Sequence, residues 1–104
     1  MSNYRRPNSK RDGRSFTPAE IQAVWEKGRT VWGKDPAQYR RDACGALIYR
    51  YSYGELTPMG WEIDHIRPVS EGGPDDLYNL QPLQWENNRR KGDDYPDYTC
   101  AVRA

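Results

Sequence analysis

The chain has 104 residues, which is enough for one domain and no more. Hydrophobic residues make up 36% and charged residues 30%, so the core is small and the four Trp, eight Tyr and one Phe must supply much of it. This aromatic content excludes an intrinsically disordered chain, and no stretch is apolar enough to span a bilayer. The net charge of +1 does not by itself predict nucleic-acid binding.

The N-terminal residues are polar and basic and have no hydrophobic period. We therefore predict a flexible basic arm over residues 1–15, followed by a single domain over residues 16–104. The N-terminus lacks the apolar core of a signal peptide, which favours a cytoplasmic protein. In a reducing compartment the default for Cys44 and Cys100 is two free buried thiols, and a disulfide is the alternative.

The first predicted elements are a helix, a helical turn and a strand. Thr17-Pro18-Ala19-Glu20 combines an N-cap, a proline at the first helical position and a capping-box glutamate, which predicts a helix over about 18–27. Asp35-Pro36 predicts a short helical turn that runs through residues 39–41. The β-branched and aromatic residues 46–51 predict a strand.

Residues 61–65 alternate between apolar and polar types and predict a second strand. On a regular strand Trp61, Ile63 and His65 would share one face, with the two carboxylates Glu62 and Asp64 on the other. The glycine- and proline-containing segment 70–76 is a loop.

Residues 77–92 predict a helical turn, a short strand and a helix. Leu77-Tyr78 can begin a single helical turn, and residues 80–83 predict a strand in which Pro82 must lie at a sheet edge or at the end of the strand. The polar, basic segment 84–91 predicts a helix that ends at Gly92 in the left-handed conformation.

The stretch from Trp61 to Pro68 contains the only histidine of the chain, directly after a carboxylate. Phosphodiester hydrolysis needs a base for the attacking water and a cation for the developing negative charge. A neutral imidazole can act as that base near pH 7, and Asp or Asn oxygens suit Mg²⁺ or Mn²⁺. For Asp64 and His65 to serve one site, the strand must end or bulge there, because neighbouring residues of a regular strand point apart.

These residues resemble the HNH nucleases, of the small stand-alone type found in bacteria and phages. The resemblance covers residues 61–93 and is carried by Ile63-Asp64-His65-Ile66-x-Pro68, Gly72-Gly73-x-Asp75, Asn79-Leu80-Gln81 and Asn88-x-x-Lys91. The segment 42–46 is also similar to the approach seen in such members. The resemblance implies an α+β fold with a ββα-metal (HNH/His-Me finger) core, preceded by an N-terminal helix and an additional strand.

The resemblance also implies a role for each motif residue. His65 would be the general base, and Asp64 and Asn88 would be ligands of one divalent metal ion. Asn79 would hold the loop and orient the His65 segment as part of the catalytic motif. The expected metal is Mg²⁺ or Mn²⁺, with Zn²⁺ or Ni²⁺ as alternatives. Asparagine at position 88, in place of histidine, is a variant that the family uses.

Many relatives carry two Cys-x-x-Cys pairs that bind a structural zinc ion. Gln84 and Asn87 stand where the second pair would fall, so we expect no structural zinc. The aromatic core would then have to supply the rigidity of the zinc site.

The expected partner is DNA, double-stranded and read with weak sequence specificity, by a monomer or weak dimer without membrane contact. Arg67, Arg89, Arg90 and Lys91 are the candidate phosphate contacts, and a solvated helix face is the alternative for Arg90. Three other functions stay open. They are a non-catalytic nucleic-acid-binding module of the same fold, a nuclease for RNA or a structured junction, and a toxin or effector domain with an immunity partner.

Overall fold

The computed structural model describes residues 6–104. Within these residues the chain forms two α-helices and two antiparallel sheets, which confirms the predicted α+β class. In chain order the elements are α1 (Pro18–Trp25), β1 (Arg29–Thr30), β2 (Tyr39–Arg41), β3 (Leu47–Tyr49), β4 (Trp61–His65), β5 (Leu80–Gln84) and α2 (Trp85–Lys91). No helix of the described residues is long and apolar enough to cross a membrane.

The start of α1 is the predicted capping box. Thr17 Oγ1 accepts a hydrogen bond from Glu20 N at 3.2 Å, and Glu20 Oε1 accepts one from Thr17 N at 2.8 Å. The backbone hydrogen bond from Thr17 holds the pKa of the Glu20 carboxyl below its usual value. The helix ends at Trp25, two residues before the predicted end, and buries Val24 and Trp25.

The first sheet has the order β1-β2-β3, with Tyr39 opposite Tyr49. The prediction of a helical turn through residues 39–41 is wrong, because these residues are β2, paired on both sides. The turn set by Asp35 ends earlier: Asp35 O accepts hydrogen bonds from Gln38 N and Tyr39 N at 2.9 Å. One additional strand was predicted, and the structure has three.

The second sheet pairs β4 with β5 in a regular register from Trp61 opposite Gln84 to His65 opposite Leu80. Pro82 lies opposite Ile63, whose N–H points away from β5 and donates to Asn8 Oδ1, so the missing N–H of Pro82 interrupts no ladder. The helix α2 follows β5 directly, so the predicted strand–strand–helix order of residues 61–91 is observed.

The core lies between α1, β3 and the β4–β5 sheet. The rings of Trp25 and Trp61 are 5.3 Å apart at their centroids, and both are fully buried. Their indole N–H groups donate to Pro36 O and Arg50 O, so neither polar group is left unpaired. The buried cluster consists of Phe16, Val24, Trp25, Ile48, Trp61, Ile63 and Leu80.

The buried carboxylate of Asp42 joins the loop before β3 to the start of α2. Asp42 Oδ1 accepts hydrogen bonds from the backbone N–H groups of Cys44 at 2.9 Å and Ala46 at 2.8 Å. Asp42 Oδ2 accepts hydrogen bonds from Gln84 N at 2.8 Å and Asn87 Nδ2 at 3.0 Å. These contacts fix where α2 begins relative to the first sheet.

The C-terminal tail lies against the same part of α2. Asn87 Oδ1 accepts hydrogen bonds from Ala101 N and Val102 N, both at 2.7 Å. Cys100 thereby meets Cys44, with a Cα–Cα distance of 6.0 Å, and the two form a disulfide. The expectation of two free thiols is wrong, because Asp42 and Asn87 bring the two backbone segments together.

The N-terminal segment differs from the predicted flexible arm where the structure describes it. Asn8 Oδ1 accepts hydrogen bonds from Ile63 N at 2.7 Å and from the Tyr53 hydroxyl at 2.9 Å. Burial raises the pKa of Tyr53 to about 12, so this hydroxyl stays protonated and able to donate. The segment around Asn8 therefore lies against the outer edge of β4. Residues 1–5 of the predicted arm lie outside the described residues.

Removing the disulfide should destabilise the fold. We expect the Cys44→Ser/Cys100→Ser variant to lose about 2–4 kcal/mol of unfolding free energy, because the bond closes a loop with a sequence separation of 56. Urea denaturation of both proteins measures this difference. Wild-type protein in a reducing agent should show the same lowered midpoint, and a midpoint that neither treatment changes would contradict the expectation.

Candidate functional site

A pocket of about 150 Å³ lies where β4, the N-terminal segment and α2 meet. Asp64, His65 and Asn88 all line it, so the fold brings together three of the residues that the sequence singled out. Pro7 and Asn8 form part of its wall. Because the pocket lies at the end of β4, these three residues border the same small cavity.

The carboxylate of Asp64 is buried and held from two sides. Its Oδ2 accepts a hydrogen bond from Gln81 Nε2 at 3.0 Å, across the strand pair. Its Oδ1 lies 3.3 Å from Nζ of Lys91, and the same ammonium donates to the backbone oxygen of His65 at 3.1 Å. Because Lys91 is only 1% exposed, the structure assigns it to the interior. Its predicted role as a phosphate contact is therefore wrong.

The ring of His65 is also buried and has a carboxylate partner. His65 Nε2 lies 2.8 Å from Asp75 Oδ1. Asp75 belongs to the glycine-rich loop, and the sequence assigned it no role. Phe16 packs beside the ring, with 6.2 Å between the two ring centroids. The imidazole is therefore fixed in orientation by a hydrogen bond and by packing.

The end of β4 explains how two neighbouring residues reach one pocket. The strand ends at His65, which was one of the two expected possibilities. The other possibility, a bulge, is not observed, because the register with β5 is regular through His65. Asp64 is bonded to α2 and His65 to the loop, so the two side chains approach the pocket from different sides.

Asn79 fixes the loop that follows β4. Its Oδ1 accepts a hydrogen bond from Arg67 N at 2.9 Å, and its Nδ2 donates to Arg67 O at 3.1 Å and to Pro74 O at 3.0 Å. Gly73 lies in this turn, and a Cβ there would come within 1.8 Å of Arg67 O. Glycine at position 73 allows this close approach, and the three hydrogen bonds of Asn79 hold the loop closed.

The start of β5 is held by a lysine that sequence reasoning missed. Lys27 Nζ donates hydrogen bonds to Leu77 O at 2.7 Å and to Leu80 O. Burial lowers the pKa of the Lys27 ammonium. These carbonyls flank Asn79, so a residue just after α1 supports the loop of the site.

Asn88 is held by Glu62, a buried carboxylate that the sequence did not single out. Asn88 Nδ2 donates to Glu62 Oε1 at 2.8 Å. Arg89 also donates to Glu62, from Nε at 3.2 Å and from its terminal nitrogen at 2.8 Å. The available signal was the alternation of β4, which places Glu62 and Asp64 on one face, toward the polar side of a helix.

The donor set of the pocket fits a hard divalent cation. Asp64 supplies carboxylate oxygens, and the side-chain oxygen of Asn88 receives no hydrogen bond from the described residues. Oxygen donors of this type suit Mg²⁺ or Mn²⁺. Within residues 6–104 no group of three or more His, Cys, Asp or Glu side chains could hold a metal ion. A cation held by Asp64 and Asn88 alone would keep several waters, as Mg²⁺ prefers.

The remaining basic residues differ in exposure. Arg67 and Arg90 are exposed. Arg89 is 43% exposed at its side chain but forms an ion pair with Glu62. Arg67 and Arg90 are thus the predicted phosphate contacts that stay most accessible to a partner.

Comparison with known proteins agrees with this geometry. Residues 44–94 match the family described as HNH endonuclease. The chain belongs to the HNH endonuclease family. The matched segment contains β3, β4, β5 and α2, and with them every predicted catalytic and metal-binding residue of this HNH protein. No curated protein and no solved structure matched the chain.

Replacing Lys91 should destabilise this HNH domain strongly. In the Lys91→Met variant Asp64 would remain buried without its cation, which typically costs about 3–5 kcal/mol. Urea denaturation measures the loss. Arg90→Met is the matched control on the exposed side of the same helix, where about 0.5 kcal/mol or less is expected. Equal effects of the two substitutions would contradict the buried ion pair.

Proposed function

We propose that this HNH protein is a metal-dependent endonuclease that hydrolyses DNA phosphodiester bonds in the pocket of Asp64, His65 and Asn88. The observation that carries the proposal is the meeting of a fixed imidazole with two hard oxygen donors in one pocket. Membership of the HNH family supports nuclease activity in general. The finer assignment is an HNH variant with asparagine at position 88 and no zinc-binding cysteine pairs.

His65 is the proposed general base. A neutral imidazole near pH 7 can take a proton from water as the water attacks the phosphorus atom. The hydrogen bond to Asp75 and the packing of Phe16 hold the ring in one orientation, so no rotation of the ring is needed for the proton transfer.

Asp64 and Asn88 are the proposed metal ligands. A divalent cation held there supplies charge stabilisation for the phosphate oxygens and the leaving oxygen. Gln81 and Lys91 fix the Asp64 carboxylate, and Glu62 fixes the Asn88 amide. Such support from surrounding residues keeps the ligand oxygens directed at the pocket.

The other motif residues position the substrate and the loop. Asn79 holds the turn that carries Asp75, and the exposed Arg67 and Arg90 are the proposed phosphate contacts. Phosphate contacts of this kind give an affinity that falls with salt and reads no base sequence. We therefore infer weak sequence specificity for double-stranded DNA.

We also infer a monomer or weak dimer. One such site cuts one strand, so double-strand cutting would need a dimer or two encounters. The cytoplasmic location stays a prediction. The Cys44–Cys100 disulfide is unusual for a reducing compartment.

Replacing the base should remove cleavage without removing the fold. We expect His65→Ala to lower the rate of plasmid nicking in Mg²⁺ or Mn²⁺ by about 10²–10⁴-fold. Circular dichroism and DNA binding at matched salt should stay close to wild type. If the variant nicked plasmid as fast as wild type, the mechanism would be wrong.

The same assay separates the alternative functions. A non-catalytic binding module would show DNA binding but no nicking sensitive to EDTA. A nuclease for RNA or junctions would cleave those substrates faster than plasmid. A toxin domain would be harmful on expression, and His65→Ala would relieve the harm.

Metal affinity provides a separate test of the two ligands. We expect Asp64→Asn and Asn88→Ala each to weaken Mn²⁺ binding by about 10-fold or more, because each removes one of few protein oxygens. Titration calorimetry measures this without substrate. Asp94→Asn is the control for lost acidic charge, since Asp94 is exposed and does not line the pocket. A uniform effect of all three variants would exclude a specific site.

A further inference from the structure

We propose that Asp75 is a positioning residue for His65 and that the N-terminal segment holds Asp75 in place through the backbone of Arg11. The inference rests on the proposed function, in which His65 is the base. It adds a carboxylate and a chain segment to the machinery, and it assigns the reacting nitrogen of the ring.

The geometry of the His65–Asp75 pair determines which nitrogen carries the proton. His65 Nε2 and Asp75 Oδ1 are 2.8 Å apart, and the side chains are 2% and 32% exposed. An ionised carboxylate can only accept hydrogen bonds, so Nε2 must donate. A neutral ring that donates from Nε2 carries its lone pair on Nδ1. The nitrogen that accepts the proton of water is therefore Nδ1.

Asp75 is itself held from the N-terminal segment. Arg11 N donates to Asp75 Oδ1 at 3.1 Å and to Oδ2 at 3.4 Å, across a sequence separation of 64. Arg11 lies in a turn closed by the hydrogen bond from Gly13 N to Lys10 O at 2.9 Å. Lys10 is bound to Glu20 of α1 at 3.1 Å. The donor to Asp75 is thus anchored to the domain rather than carried on a loose chain.

The other side of Asp75 is held by the motif residue Asn79. Asn79 Nδ2 donates to the carbonyl of Pro74, the residue before Asp75, at 3.0 Å. The carboxylate therefore sits between a backbone fixed by Asn79 and a donor fixed by the N-terminal segment. Both contacts therefore help to hold the carboxylate that binds Nε2 of His65.

The pair also matters for charge during the reaction. When water gives its proton to Nδ1, the oxygen of that water forms the new bond to phosphorus and the ring becomes an imidazolium. The phosphorus–oxygen bond to the leaving oxygen breaks, and that oxygen takes a proton from solvent. Asp75 keeps its negative charge and stabilises this imidazolium through the Nε2 hydrogen bond. This stabilisation is greatest once the ring is charged, so its loss should lower kcat much more than it raises KM.

The kinetic test compares substitutions at two neighbouring acids. Asp75→Ala is expected to lower kcat about 10–100-fold with little change in KM, the usual effect of removing a group that orients a site residue. Asp75→Asn should fall between this variant and wild type, because its amide oxygen still accepts a hydrogen bond but carries no charge. Asp76→Asn is the matched control, since Asp76 is exposed and its side chain caps nothing.

A spectroscopic test needs no metal or substrate. His65 is the only histidine of the chain, so its ring signals in ¹⁵N-edited spectra need no assignment. Wild type should show a protected, downfield Nε2–H proton and an unprotonated Nδ1, and Asp75→Ala should lose the protected proton. A wild-type ring with the proton on Nδ1, or a protected Nε2–H that survives in Asp75→Ala, would overturn the proposal.

The role of the N-terminal segment is tested at Arg11. It is the second residue of its turn, where proline is favoured, so Arg11→Pro removes the N–H donor while suiting the backbone. Arg11→Ala keeps that donor and removes only the side chain. We expect Arg11→Pro to lower kcat, and the protection of Nε2–H, by more than Arg11→Ala does. Equal effects of the two substitutions would overturn the proposed role of the Arg11 N–H.

These outcomes separate the inference from the proposed function. If His65→Ala is inactive and Asp75→Ala keeps wild-type kcat, the role of His65 as the base is supported and the proposed role of Asp75 is excluded. If wild-type protein cleaves no nucleic acid, the proposed function falls, and the ring spectra still decide whether Asp75 holds His65.

Discussion

The structure depends on the complete burial of a strand that carries two carboxylates and a histidine. All five residues of β4, Trp61–His65, are buried. A buried charge without a partner costs several kcal/mol, so each of these groups requires a specific partner. Glu62 pairs with Arg89, Asp64 with Lys91, and His65 with Asp75. The polar face of α2 and the conformation of the glycine-rich loop follow from this requirement.

The helix α2 is held from two sides because consecutive residues of a helix point about 100° apart. Asn88 faces the pocket and donates to Glu62, whereas Asn87 faces Asp42 and the C-terminal tail. The disulfide ties that tail to the loop before β3. Together, Asp42, Asn87 and the disulfide keep the site helix in register. In zinc-binding relatives a second cysteine pair would fall at positions 84 and 87. In this chain hydrogen bonds and one disulfide fix the helix instead.

Local signals predicted the elements that position the site, and long-range contacts account for what was missed. The capping box of α1, the alternation of β4 and the glycine after α2 act within a few residues, and each of these elements was found. The predicted left-handed conformation of Gly92 is wrong, because its φ is 52° and its ψ is −126°. Residues 39–41 were misassigned because pairing with β1 and β3 overrides their local preference. The motif spacing predicted that His65 and Asp64 share a site. It could not show that Lys91 is buried or that residue 11 reaches residue 75, because those pairs are defined only by the folded chain.

The charge balance of the buried pairs shows how the site is prepared for its proposed chemistry. The charges of Glu62 and Arg89 sum to zero, and so do the charges of Asp64 and Lys91. The carboxylates of β4 can therefore be buried without a metal ion. Lys91 lies 3.3 Å from the proposed ligand Asp64, so it also repels any cation bound there. Asp75 beside a neutral His65 is left with one negative charge. That charge is neutralised when His65 takes up a proton, which is the state that general-base catalysis creates. In the proposed reaction only the His65–Asp75 pair gains charge balance, and the other two pairs are balanced before that reaction begins.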